Sequence, residues 1–123
     1  MDFEGPVWRF VQDKVPEAFD KGLSVLEACK LWYSGAYLLE TVPSAIFILM
    51  KHGNNLREAL TRAINDTKDN DTIGAIVGAA VGALHGKGAI PEMWIKNHSG
   101  RTSFSDDGRI FELLDEARSL WGQ

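Results

Sequence analysis

Glycine recurs at every fourth position, Gly74, Gly78, Gly82 and Gly86, through and just beyond an uncharged run from Ile73 to Leu84. Inside a helix each glycine costs up to about 1 kcal/mol relative to alanine. Several on one stripe make sense where neighbouring backbones must approach closely, so the spacing predicts a helix at the centre of a helical fold. The run is well short of the roughly 18 residues that suggest a membrane span, and a membrane dimerisation motif fails on that length. Directly ahead of it stand Asp69, Asn70, Asp71 and Thr72. Two carboxylates and a hydroxyl thus sit where a polar loop becomes an apolar helix.

The rest of the chain agrees with an all-α class, because no period-two strand pattern occurs. Residues 1–123 read as a single all-α domain. Residues 3–15 predict a short helix ending before Pro16. Residues 16–33 are helical in part, and Ser34-Gly35 breaks that pattern. Thr41 near a cap with Pro43 in the first turn marks a helix start. Ala45 to Met50 are apolar all round, which predicts protein on every side, and His52-Gly53 ends that helix. Asn55 with Glu58 resembles a capping box before an amphipathic helix whose apolar face is Leu56, Ala59, Leu60, Ala63 and Ile64. Pro91 opens a short segment with Met93, Trp94 and Ile95. A last helix, from about Ser105 or Asp106, is expected to bury Ile110, Leu113, Leu114, Ala117, Leu120 and Trp121.

The net charge of −4 and the lack of a basic stripe argue against nucleic acid and against a membrane surface as partners. The single cysteine, Cys29, lies in an apolar pattern and reads as a buried structural thiol. With no signal peptide visible after Met1, the expected location is the cytoplasm. His52, His85 and His98 show no metal or catalytic spacing and read as structural, the first two at helix ends. Trp8, Trp32, Trp94 and Trp121 read as core or interface aromatics. Core packing is also the simpler reading of Tyr37, with adenine stacking by Tyr37 or Trp32 as the alternative. No Ser-His-Asp order or phosphate-loop motif supports a different enzyme, and no catalytic acid, base or nucleophile is assigned.

Hard divalent cations take oxygen ligands. Asp69 and Asp71 can converge on one ion or bridge a pair, with Thr72 adding a neutral oxygen. By local pattern alone the plainer reading prevails: Asp71 or Thr72 as the helix cap, with Asp69 and Asn70 in turn hydrogen bonds. An EF-hand is excluded, since counting from Asp66 its glycine and terminal glutamate are absent.

The surrounding sequence changes that balance. Asn65 to Ala79 and on to Gly86, with Ile90-Pro91 and Trp94 behind, resembles the C-terminal motif of the ADP-ribosylglycohydrolases. Ser34-Gly35-Ala36-Tyr37-Leu38-Leu39-Glu40-Thr41-Val42-Pro43 resembles that family's substrate-side segment, so the likeness covers at least residues 34–95. It implies an all-α orthogonal helical fold, present in part, and a binuclear magnesium or manganese centre. By the same resemblance Asp69, Asp71 and Thr72 are metal ligands and Gly35 and Tyr37 face ADP-ribose. The implied reaction is hydrolysis at the ribose anomeric carbon of an ADP-ribosylated protein or ADP-ribosyl small molecule.

Two departures stand out. Thr67-Lys68 occupies the place of a glycine pair found in many members. The family's other metal half-site, a threonine followed by two aspartates, has no counterpart ahead of residue 34, so the likeness is to the C-terminal part alone. Ser105-Asp106-Asp107 has similar chemistry but reads as the cap of the last helix. The alternative function is a non-catalytic helical fragment or interaction module that retains the fold. In either case association, as a homodimer for example, is expected through the face left open by the missing part.

Overall fold

A computed structural model describes residues 3–98 and 108–122, and among these residues every regular element is helical. The chain divides into two compact units, residues 1–90 and 91–123.

The first unit begins with α1, Val7–Asp20. It runs through Pro16 instead of ending before it, because burial of Val15 and Ala18 on either side outweighs the backbone hydrogen bond that proline cannot donate. After a turn at Lys21-Gly22, α2 spans Val25–Trp32. Its start is a complete capping box: the Glu27 N–H donates to Ser24 Oγ (3.2 Å) and the Ser24 N–H donates to Glu27 Oε2 (2.8 Å).

Helix α3, Leu38–His52, starts three residues before Thr41. Thr41 is therefore not its cap and Pro43 lies inside it, fully buried. The helix is sheathed on most sides but not all, for Met50 is exposed. Phe47 packs edge-on against Trp32 (centroids 6.0 Å) and Phe19 (6.4 Å), and Phe10 meets Trp32 at 6.1 Å. Such edge-to-face pairs add to the apolar burial that holds α1, α2 and α3 together. The Trp32 indole N–H donates to Ser44 Oγ (2.9 Å), which in turn donates to the Glu40 carbonyl (2.6 Å). Cys29 is buried beside Ser44, and burial pushes its thiol pKa up, as expected of a structural cysteine.

Helix α4, Leu56–Asn65, is capped by Asn55, whose Oδ1 accepts from the Glu58 N–H (3.0 Å). The Glu58 side chain does not complete the box. Leu56, Ala59 and Ala63 are buried, whereas Ile64 is exposed. Helix α5, Asn70–His85, packs chiefly on α4 and also on α3. Its glycine stripe works over half its length. A methyl group on Gly74 would come within 2.5 Å of Ile64 Cδ1, and one on Gly78 within 3.2 Å of Leu60 Cδ2. At Gly82 nothing lies within 4 Å, and Gly86 is already the C-cap, at φ 75°. Ile73, Val77 and Val81 face the core, while Ile76 and Leu84 are exposed. The helix is thus packed on one face rather than central. A short 3-10 turn, Lys87–Ala89, closes the unit.

The second unit holds α6, Glu92–Asn97, and α7, Arg109–Trp121. The expected start of the last helix at Ser105 or Asp106, and the cap at Ser105-Asp106-Asp107, lie outside the described residues. The face of α7 that its spacing marks for burial is open: Ile110, Leu113, Leu114, Leu120 and Trp121 are exposed. Periodicity shows which face is apolar but supplies nothing to cover it. Trp8, like Trp121, is exposed, so of the four tryptophans Trp32 alone is a fully buried core residue.

Candidate metal and substrate site

The polar segment between α4 and α5 is built from both sides. Thr67 is buried, and its hydroxyl donates to the Ala63 carbonyl, closing the end of α4. Thr67-Lys68, where a glycine pair was the family expectation, therefore makes a side-chain lock that glycine could not. Asp66 turns back to Arg62, which donates to its carboxylate at 3.1 Å.

Asp69 occupies the N-cap position of α5, and its carboxylate makes no capping hydrogen bond. Neither Asp71 nor Thr72 is the cap; they are the second and third helical residues. The Asp71 carboxyl is held below the usual aspartate range, first by the neighbouring Asp69 side chain. The Thr72 N–H, donating to Asp71 Oδ1 (3.0 Å), and Asp71's own N–H act in the same direction. Asp71 and Thr72 are exposed and Asp69 is half-buried, so all three residues lie at the solvent edge of a helix N-terminus.

The second expected segment comes to the same place. Tyr33 takes a left-handed conformation (φ 70°) and turns the chain out of α2. Ser34, 2% exposed, then accepts at its carbonyl from the Lys68 N–H (3.2 Å) and the Asp69 N–H (3.0 Å). Its Oγ also accepts from the Lys68 N–H (3.1 Å). The Gly35 carbonyl accepts from the buried Thr41 hydroxyl (2.8 Å). Gly35 has little room for a side chain, with the Glu40 carboxylate crowding the place where a Cβ would sit and the Tyr33 ring 3.1 Å from it.

Tyr37 is the N-cap residue of α3; its carbonyl accepts from the Glu40 and Thr41 N–H groups (both 2.8 Å), while its side chain is 78% exposed. Core packing is therefore wrong for Tyr37, and its ring is open to a ligand. Trp32 is buried, which removes it as a stacking surface. An open hollow is lined by Tyr37, Leu38, Leu39 and Glu40.

Two carboxylates and a hydroxyl suit a hard divalent ion such as magnesium, which takes few protein ligands and keeps several waters. Among the described residues no group of three or more His, Cys, Asp or Glu side chains converges on a metal position. His85, at the end of α5, is instead hydrogen-bonded through Nε2 to the Gly53 carbonyl (2.7 Å), in keeping with a structural role. Ser34 has no sequence signal for its part in the site beyond preceding Gly35, because its partners lie more than thirty residues away.

The sequence is 30% identical over 63 residues to ADP-ribosylarginine hydrolase Tri1 of Pseudomonas putida (strain GB-1), a match that takes in 51% of this chain and 17% of that protein. The chain thus spans less than a fifth of the length of this relative. No solved structure matches. The model of the ADP-ribosylglycohydrolase family matches residues 6–121, nearly the whole sequence and both compact units. On that match the chain belongs to the ADP-ribosylglycohydrolase family.

Proposed function

We propose that this chain supplies Asp69, Asp71 and Thr72 to a magnesium or manganese centre, binuclear when complete, in an enzyme that cleaves the glycosidic bond between ADP-ribose and a modified side chain or a related ADP-ribosyl compound. The observation that carries the reading is the uncapped start of α5. Aspartate is among the preferred cap residues, yet the Asp69 side chain caps none of the helix N–H groups, and Asp71 follows two residues on at the same helix start. The helix N-terminus favours anionic groups there, and the Ser34 bonds hold the start of the segment that carries Gly35 and Tyr37 against the same loop. In this reading the bound ions supply orientation of the ribose hydroxyls and activation of water. Asp69 and Asp71 hold the charge in place, the Gly35 backbone lets the ligand approach, and the exposed Tyr37 ring offers a stacking surface. The name of the Pseudomonas relative makes arginine-linked ADP-ribose the first substrate to try. We place the chain in the cytoplasm; no helix among the described residues is long and apolar enough to cross a membrane.

A second reading, a helical module without activity, is favoured by the absence of a third carboxylate or imidazole ligand among the described residues. The open faces of α5 and α7 suit association under either reading, as a homodimer or with a complementary polypeptide. One experiment separates the two readings. Magnesium or manganese should raise the melting temperature of the 123-residue chain, and the Asp69→Ala, Asp71→Ala double variant should lose that response. Equal stabilisation of the double variant removes the metal assignment. The isolated chain should turn over ADP-ribosyl-arginine poorly or not at all, since it carries half of the expected ligands.

A further inference from the structure

We infer that Ser34 is the positioning residue that aims the Asp69 carboxylate and ties the arm carrying Gly35 and Tyr37 to it, so that the two segments behave as one body. The inference rests on the reading of Asp69, Asp71 and Thr72 as metal ligands. Among the described residues Ser34 makes no hydrogen bond to a carboxylate. It acts through the backbone, where its carbonyl takes the N–H groups of both Lys68 and Asp69 and its hydroxyl takes that of Lys68 a second time.

Two features make this tie decisive. First, Asp69 has neither a capping bond nor a regular conformation (φ −90°, ψ 63°), so α5 does not fix its direction from within. The fixing comes from outside the helix, at Ser34. Second, Ser34 is buried and its neighbour Gly35 is held by the Thr41 hydroxyl on the side of α3. The arm cannot move away from the metal loop without breaking these bonds and leaving the buried Ser34 oxygens without partners, which is costly. A shift of the arm carrying Tyr37 is therefore transmitted to Asp69, and the reverse.

The test uses the full chain, manganese as the probe, and amide hydrogen exchange as a readout independent of activity. Ser34→Ala removes the hydroxyl acceptor and leaves the carbonyl. It should weaken manganese binding by about fivefold and speed exchange at the Lys68 amide by about tenfold, the range that loss of one hydrogen bond gives. Ser44→Ala is the control for plain structural loss. Ser44 is also buried and hydrogen-bonded, to Trp32 and Glu40. Its variant should lower the melting temperature yet keep wild-type manganese affinity. Wild-type affinity in Ser34→Ala, or an equal loss in Ser44→Ala, overturns the proposal. Should the wild-type chain bind no manganese, the metal reading fails by itself. The Lys68 and Asp69 amides then decide the tie, and unchanged exchange in Ser34→Ala refutes it.

Discussion

Helices α2 and α5 begin with similar chemistry and use it in opposite ways. At α2 a hydroxyl and a carboxylate, Ser24 and Glu27, are both bonded to backbone N–H groups. At α5 Asp69, Asp71 and Thr72 fall at the N-cap and the second and third helical positions, and the cap position makes no side-chain capping bond. The first start is complete in itself. The second forgoes capping and gathers negative charge at a solvent edge, which is stable only so far as a proton, the helix N-terminus or a cation offsets the repulsion. Helix α4 lies between them, with one side-chain bond from Asn55. The difference separates acids that finish a fold from acids that the proposed metal reading reserves for a ligand.

The comparison can be broken by alanine substitution at the three cap positions in metal-free buffer, followed by urea unfolding. Ser24→Ala should cost about 1 kcal/mol, since it removes a reciprocal pair. Asn55→Ala should cost about 0.5–1 kcal/mol, the lower part of the capping range, for one bond. Asp69→Ala should stay within about 0.5 kcal/mol of wild type, as expected for a half-buried side chain with no cap bond to lose. A loss at Asp69 equal to that at Ser24 would mean that Asp69 is an ordinary cap. Magnesium should then reorder the series. At ten times its dissociation constant, a ligand that binds only the folded chain adds about 1.4 kcal/mol. Asp69→Ala would forgo that gain, whereas Ser24→Ala and Asn55→Ala would keep it.

These starts differ also in how far the sequence reveals them. The Asn55-to-Glu58 spacing marks α4 correctly, and the Ser24-to-Glu27 spacing, within the partly helical residues 16–33, is equally visible. The all-α class follows from the helical periods, as found. Proline rules fail twice, at Pro16 and Pro43, because both lie within helices held by buried neighbours, which a local rule does not weigh. The glycine stripe is legible as a close approach, yet only Gly74 and Gly78 meet a neighbour. Hydropathy marks the outer face of α5 and the apolar face of α7 as wanting cover, but it cannot say whether the cover belongs to the same chain. At the candidate site the residue types were legible through family likeness. The bonds from Ser34 to Lys68 and Asp69 were not, since pairing across the fold leaves no local pattern.

The smallest expected effect concerns acid, and it sharpens the same contrast. Ser24's hydroxyl, first, and its backbone N–H, second, hold the Glu27 carboxyl below the usual glutamate range. Because the folded value is depressed, the unfolded chain binds more protons in the interval between the two values. The stability that Glu27 contributes is therefore fully present above the ordinary glutamate pKa and is lost as the pH falls through the folded one. The melting temperature of the wild type should drop between about pH 5 and pH 3, and Glu27→Gln should flatten part of that fall. Ser24→Ala should flatten it too, because it removes the group chiefly responsible for the depression. Glu27 is fully exposed, so the difference will be a shallow change of slope rather than a separate transition. If Glu27→Gln leaves the acid limb unchanged, the carboxylate is not bonded to the backbone at α2. The two helix starts would then differ less than their geometry implies.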